Sequence, residues 1–294
     1  MERSRSRAHA ALGLVNAIGT GGLGAAAALD LWVEVEVWRC SSPRGYTVTR
    51  GERVEIHPAI LESVSEAAAG LLGRSPGPVC ARGSSDIPLE AGLKGSSALV
   101  NALLEAVLRL HGVSVGVEEL ARLGVEAARR AGLTVTGALD DHLAVSGCGG
   151  YATDNTRQAI VARMPRVSGY AAVVVPGRRS IRSIDPGSFA KYRRLYMAAW
   201  RLLESGDWLS AATVNGAATM LATGGEPGRL LGLLGEEGAL AVGVSGKGPA
   251  AYIVAGSRGE AERLLEPLAA ALGAGEALTA RILPCPGGEA GPRP

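Results

Sequence analysis

The chain has 294 residues, 47% of them hydrophobic and 20% charged, with a formal net charge of +2 and 4% aromatics. That apolar fraction is globular rather than disordered, and the length suits one large domain or two ordinary ones. Near-neutral charge and scarce aromatics supply neither the basic field nor the stacking surface that nucleic acid or an anionic membrane needs, so the expected partner is a small molecule.

Arg3, Arg5 and Arg7 precede an uncharged stretch, residues 10–29, that imitates a signal peptide. Its Ala and Gly content, interrupted by Asn16 and Thr20, is too weakly apolar for a membrane span, and no later segment reads as one. Residues 29–37, LDLWVEVEV, alternate as a half-buried strand does. Residues 47–58 predict a hairpin turning at Arg50-Gly51-Glu52, so an antiparallel sheet is expected near the N-terminus. An amphipathic helix follows over 60–72, then a loop over 73–86. Helices are predicted over 97–110 and 117–131, the second with Glu118 and Glu119 in its first turn. Residues 136–151 read as a glycine-studded region and 170–175 as an apolar strand closed by Pro176-Gly177. Helices over 189–204 and 208–222, strands over 239–244 and 250–255, a helix over 260–272 and a frayed tail after Pro284 complete the chain. This succession predicts an α+β fold in two lobes, 1–160 and 161–294.

Cys40, Cys80, Cys148 and Cys285 are scattered, with no CxxC pair. They offer neither a zinc cluster nor a disulfide framework, and read as reduced and mostly buried in a reducing, cytoplasmic compartment.

Three glycine clusters compete for phosphate chemistry. Residues 19–24, GTGGLG, satisfy GxGxxG, but a dinucleotide site would need a helix directly after them. A strand follows, so a flexible turn that could line an active site is the better reading. Residues 91–98, AGLKGSSA, lack the Walker spacing yet have the physics of an anion site. Gly92 and Gly95 allow close approach, Ser96 or Ser97 can cap the next helix, Lys94 adds charge, and the helix start offers free N–H groups. An ordinary capped helix after a glycine turn explains the same residues equally well. Residues 243–250, GVSGKGPA, exceed what a two-residue hairpin needs and read as a turn built to approach a ligand.

In this order the clusters resemble the galactokinase, homoserine kinase, mevalonate kinase and phosphomevalonate kinase (GHMP kinase) superfamily. That superfamily carries a central P-x-x-x-G-L-x-S-S-A loop and a C-terminal glycine turn. Here the loop reads PLEAGLKGSSA over 88–98, one residue longer than the usual form, and the turn spans 243–249. The nearest branch is archaeal-type shikimate kinase. Residues 92–98, GLKGSSA, are similar to its GLKSSSA, residues 134–141, TVTGALDD, to its TVTGAFDD, and residues 15–21, VNAIGTG, to its NAIATG. Gly95, Leu139 and one extra residue between Asp140 and Gly149 depart from that pattern.

The resemblance implies an N-terminal lobe like the second domain of ribosomal protein S5 and a ferredoxin-like C-terminal lobe. It also implies an ATP- and Mg²⁺-dependent phosphotransferase with an alcohol acceptor, converting shikimate to 3-phosphoshikimate for aromatic amino acid synthesis. Homoserine or mevalonate phosphorylation, or a non-catalytic binding protein on the S5-like fold, are the alternatives. The sequence carries no signal for an oligomeric state. The implied ATP site comprises Leu89, Glu90, Ala91, Gly92, Leu93, Lys94, Gly95, Ser96, Ser97 and Ala98, with Mg²⁺ on Ser97 or Ser96 and on Glu126, which an exposed helix position explains equally well. Asp140 and Asp141 are the candidate bases, with Asp140 preferred, while His142 reads as a packing or hydrogen-bonding residue. A substrate carboxylate calls for arginine's planar fork, for which Arg178, Arg179 and Arg182 are candidates, although a surface basic cluster accounts for at least two of them. Asn16 and Thr20 read as hydroxyl-binding or turn residues, and Ser245, Gly246 and Gly248 complete the expected substrate side.

Overall fold

A computed structural model describes residues 2–180, 183–273 and 275–285. The chain opens with β1 (Arg3–Val15) and β2 (Leu23–Arg39), a long antiparallel hairpin in register from Arg3↔Trp38 to Val15↔Ala25. The single turn α1 (Ala17–Thr20) joins them, its N-cap Asn16 accepting from the N–H groups of Ile18 and Gly19. The uncharged stretch of residues 10–29 is therefore a buried hairpin, with Ala10, Ala11 and the four alanines 25–28 fully covered. Continuous burial erases the period-two alternation that marks a strand, which is why β1 and the first third of β2 escape prediction.

β3 (Arg44–Thr49) and β4 (Glu52–Ile56) form the predicted hairpin around Arg50-Gly51, and α2 (Pro58–Leu72) follows. The expected loop over 73–86 contains β5 (Val79–Ser85), antiparallel to β2 and parallel to β3. Its Gly83 and serines are poor strand formers; ladder pairing on both sides overrides them. α3 (Gly95–Leu110) and α4 (Val117–Arg130) match expectation, whereas α5 (Leu139–Ser146) occupies part of the glycine-studded region. The hairpin of β6 (Gly150–Asp154) and β7 (Ala159–Met164) leads to β8 (Gly169–Val175).

The remainder comprises α6 (Pro186–Ala190), α7 (Arg193–Glu204), α8 (Trp208–Ala222), α9 (Pro227–Gly232), β9 (Ala241–Val244), β10 (Ala251–Ala255), α10 (Arg258–Arg263), α11 (Leu265–Leu272) and β11 (Glu276–Ile282). β11 also escaped prediction. The sheet runs β4-β3-β5-β2-β11-β8-β10-β9, with β1 and β6 also on β2. β11 pairs along the whole of β8 but meets β2 only at Ile282↔Leu29, so one register pair joins the two halves of the sheet. α3 and α5 pack on β1 and β2, where buried alanines allow close approach, and α8 packs on β9 and β1. A second, smaller core lies wholly within residues 172–268.

The four cysteines correct the reading of reduced thiols: Cys40 is bonded to Cys80 and Cys148 to Cys285, with Cα–Cα separations of 5.8 and 4.9 Å. Chain separations of 40 and 137 residues hid pairs that the sheet creates. Trp38↔Cys80 pairing carries Cys40 to its partner, and Cys148 meets Cys285 where Gly149 N–H donates to the Leu283 carbonyl at 2.7 Å. Among the described residues no helix is long and apolar enough to cross a membrane. Of the expected frayed tail after Pro284, Cys285 is held in a disulfide and residues 286–294 lie outside the described residues.

Candidate active site

Four consecutive loop carbonyls leading to α3 are tied to the scaffold. Arg179 N–H donates to Glu90 O at 3.0 Å, Ala250 N–H to Ala91 O at 2.9 Å, the Ser245 hydroxyl to Gly92 O at 2.9 Å, and Ala11 N–H to Leu93 O at 3.1 Å. By contrast, no backbone N–H from Gly92 to Ser97 has an acceptor among the described residues. Acceptors are engaged and donors are left over, which is the polarity an anion needs at a helix N-terminus. The first turn of α3 holds no acidic residue to compensate its dipole.

The expectation that Ser96 or Ser97 caps α3 is corrected. Lys94 occupies the cap in a left-handed conformation, φ 63°, without a side-chain cap bond, and both serine hydroxyls are unpartnered in the first turn. Gly92, at φ +90°, is required: a Cβ there would meet Ser245 O at 2.6 Å and Gly248 O at 2.8 Å. The loop is thus seated directly on the turn of residues 245–248. Gly95 is different, since a Cβ there would rest in ordinary contact with Ile87 at 3.4 Å.

α5 supplies the carboxylates. Asn155 Oδ1 accepts from Leu139 N–H at 2.6 Å while its Nδ2 donates to Asp140 Oδ1 at 2.8 Å, fixing the helix start and the side chain together. Thr153 adds a longer bond to Asp140 Oδ1 at 3.3 Å. Gly24 of β2 leaves room for this carboxylate, because a Cβ would lie 2.7 Å from Oδ2. Asp140 is 3% exposed. Burial and then the neighbouring Asp141 charge push its pKa up to about 7, against the pull of Lys94 and Asn155. Asp141 forms an ion pair with Lys94, Nζ–Oδ1 2.8 Å. Burial pulls the Lys94 pKa down, but the two carboxylates outweigh it, so the pKa is raised and the group stays an ammonium at neutral pH. His142 is buried with Nδ1 2.7 Å from Asn101 Oδ1, and burial depresses its pKa to about 3; its role is packing and hydrogen bonding.

These groups meet in a cleft of about 470 Å³. Its apolar lining includes Val33, Val54, Ile56, Ile60, Leu99 and Leu133. Its polar lining includes Asn16, Lys94, Ser97, Asp140, Asp141 and Lys247.

The family model of the GHMP kinases N terminal domain matches residues 60–150. The shikimate kinase of Aeropyrum pernix is 43% identical over 267 residues, covering 89% of this chain and 94% of the relative. That of Thermococcus kodakarensis is 35% identical, covering 85% and 91%. The chain belongs to the archaeal shikimate kinase family, within the GHMP kinases. The fold agrees: homoserine kinase from Cytophaga hutchinsonii superposes with a TM-score of 0.70 at 17% identity, covering 97% of this chain and 96% of that one. Lactococcus lactis galactokinase, complexed with galactose, gives 0.69 at 11% identity, covering 97% and 94%.

Within this family frame the expected site residues divide sharply. Leu89, Glu90, Ala91, Gly92, Lys94, Gly95, Ser96 and Ser97 line the cleft, whereas Leu93 and Ala98 are buried in the core behind it. Asn16 lines the cleft, with Nδ2 donating to Gly246 O at 2.6 Å. Thr20 does not; its buried hydroxyl donates to Leu23 O at 2.6 Å and serves the turn. Gly246 lines the cleft, but Ser245 is a buried staple, accepting from Gly13 N–H at 2.9 Å and donating to Gly92 O. Gly248 packs beneath Gly92 rather than lining the cleft. Arg178 pairs with Glu52 at 2.5 Å on the exposed surface, and Arg179 donates to Lys247 O at 2.9 Å; neither lines the cleft. Arg182 lies outside the described residues. Glu126 is corrected as a metal ligand: it is exposed, pairs with Arg130 on its own helix at 2.5 Å and stands outside the cleft. Lys247 is the residue that sequence reasoning passed over. A lysine between two glycines of a turn that seats the loop of residues 88–98 was the available signal.

Proposed function

We propose that this protein transfers the γ-phosphoryl group of ATP to a hydroxyl of shikimate, giving 3-phosphoshikimate. The observation that carries the phosphate site is the run of unpaired N–H groups from Gly92 to Ser97 at the start of α3. Polyphosphate occupies that run, and the apolar side chains lining the cleft take the nucleotide base. Lys94, held by Asp141, offsets charge on the transferring group. Asp140, with its raised proton affinity, accepts the proton of the attacking hydroxyl as the new P–O bond forms and ADP departs.

Magnesium fits the residues present. Among the described residues no cluster of three or more His, Cys, Asp or Glu could cage a metal. Mg²⁺ in kinases instead keeps waters and leans on phosphate oxygens, and the unpartnered hydroxyls of Ser97 and Ser96 would hold it there. Bound so, it would neutralise phosphate charge.

Division into lobes near residue 160 and residence in the cytoplasm belong to the same reading. The separate core within residues 172–268 supports the first. The two disulfides accord with the second in the setting where intracellular disulfides persist, the proteins of hyperthermophilic archaea and bacteria. Steady-state assays of shikimate, homoserine and mevalonate with Mg-ATP test the acceptor. Turnover of shikimate alone is expected, and turnover confined to homoserine or mevalonate would overturn it.

A further inference from the structure

Shikimate carries a carboxylate that needs a counter-charge inside the cleft, and of the expected arginines the two described, Arg178 and Arg179, do not provide it. Arg178 is spent on Glu52 at the surface, and Arg179 holds the Lys247 carbonyl from outside the cleft. Among the described residues lining the cleft, only Lys94 and Lys247 carry positive charge. Lys94 is already ion-paired with Asp141 at 2.8 Å and is assigned to the transferring phosphate in the reading above. Lys247 has no ion-pair partner among the described residues.

Resting on the functional reading above, we propose that Lys247 is the specificity residue that binds the carboxylate of the acceptor. Its backbone is held firmly for that task. Asn16 Nδ2 grips the preceding carbonyl of Gly246 at 2.6 Å, Arg179 grips its own carbonyl at 2.9 Å, and Gly248 N–H donates to Ser245 O at 2.8 Å. A half-buried ammonium on a braced turn, beside a phosphate loop that already has its own donors, is a charge waiting for a second anion. Its surroundings agree. Burial lowers the Lys247 pKa to about 8; Glu90 opposes that shift, while Lys94 and Arg179 reinforce it. A cation without an ion-pair partner among the described residues is one that a carboxylate stabilises on arrival.

The test compares shikimate with its uncharged methyl ester in the full-length wild type, Lys247→Met and Lys247→Arg. Wild type should favour the acid in kcat/KM by roughly 10- to 100-fold, the worth of a charge-assisted contact. Lys247→Met should bring acid and ester near parity with the KM for ATP little changed, and Lys247→Arg should retain most of the preference. An acid preference that survives in Lys247→Met overturns the inference. So does an effect confined to the KM for ATP, which would put the ammonium on the nucleotide phosphates. If Lys247→Met fails to fold, the wild type still decides: its acid preference should fade as pH rises through about 8, and a preference constant to high pH contradicts the assignment. Absence of shikimate turnover in the wild type would instead sink the functional reading itself.

Discussion

The loop of residues 88–98 and the turn of residues 243–249 are both rich in glycine, and both carry serine and lysine. They differ in where their polar atoms go. In the loop, carbonyls 90–93 are engaged behind, and the N–H groups from Gly92 to Ser97 have no acceptor among the described residues. In the turn, the Ser245 hydroxyl, the Gly246 carbonyl and the Lys247 carbonyl are all committed to neighbouring segments. Composition therefore marks both as candidates for a phosphate, while the hydrogen-bond inventory separates a binding surface from its foundation. Only the Lys247 side chain escapes the supporting role in the turn.

The largest expected effect falls on the catalytic side of that division. Asp140→Asn should lower kcat by about 10²- to 10⁴-fold with little change in ATP affinity or melting temperature. Unchanged turnover would remove Asp140 from the chemistry and leave Asp141 as the base. On the supporting side, Ser245→Ala strips a donor from Gly92 O and an acceptor from Gly13 N–H, both in buried surroundings. It should cost about 1–3 kcal/mol in urea unfolding and raise the KM for ATP as the loop loosens. A raised KM without any loss of stability would break the comparison, because Ser245 would then be meeting a ligand.

The pH dependence sharpens the division further. The proposed base Asp140 would act only when ionised, and burial holds its pKa up to about 7, so kcat/KM should climb with pH through that region. Lys94→Met removes a cation that favours the ionised form, so the ascending limb should move to higher pH; a move to lower pH contradicts the placement of Lys94. The smallest effect belongs to Gly95, whose backbone needs no glycine. Gly95→Ala should raise stability by about 0.4–1 kcal/mol, whereas Gly92→Ala should destabilise by about 1–3 kcal/mol or more. Equal effects at the two positions would mean that the loop is not seated on the turn.

Much of the fold was legible where local periodicity and turn chemistry agreed, as in the hairpin at Arg50-Gly51 and helices α3 and α4. It was illegible where long-range pairing decided. β5 is poor in strand formers and becomes a strand by lying between β2 and β3, and β1 is hidden because its inner half is buried on both faces. The disulfides follow from that same pairing. Of the site, the loop and the paired aspartates could be read because their residues are contiguous. The fates of Ser245, Arg178 and Arg179 depended on partners far along the chain, that of Glu126 on which face of its helix it occupies, and the helical N-cap fell to Lys94 because backbone conformation outranked the serines' side-chain preference.

Hydrogen exchange with and without a non-hydrolysable Mg-ATP analogue bears most directly on the central claim, that the free N–H groups from Gly92 to Ser97 hold the phosphates. Exchange at these amides should slow markedly on binding, while the amides of Ser245 and Gly248, already donating within the turn, should change little. Protection confined to the turn, with residues 92–97 unaffected, would contradict the assignment of the phosphate site.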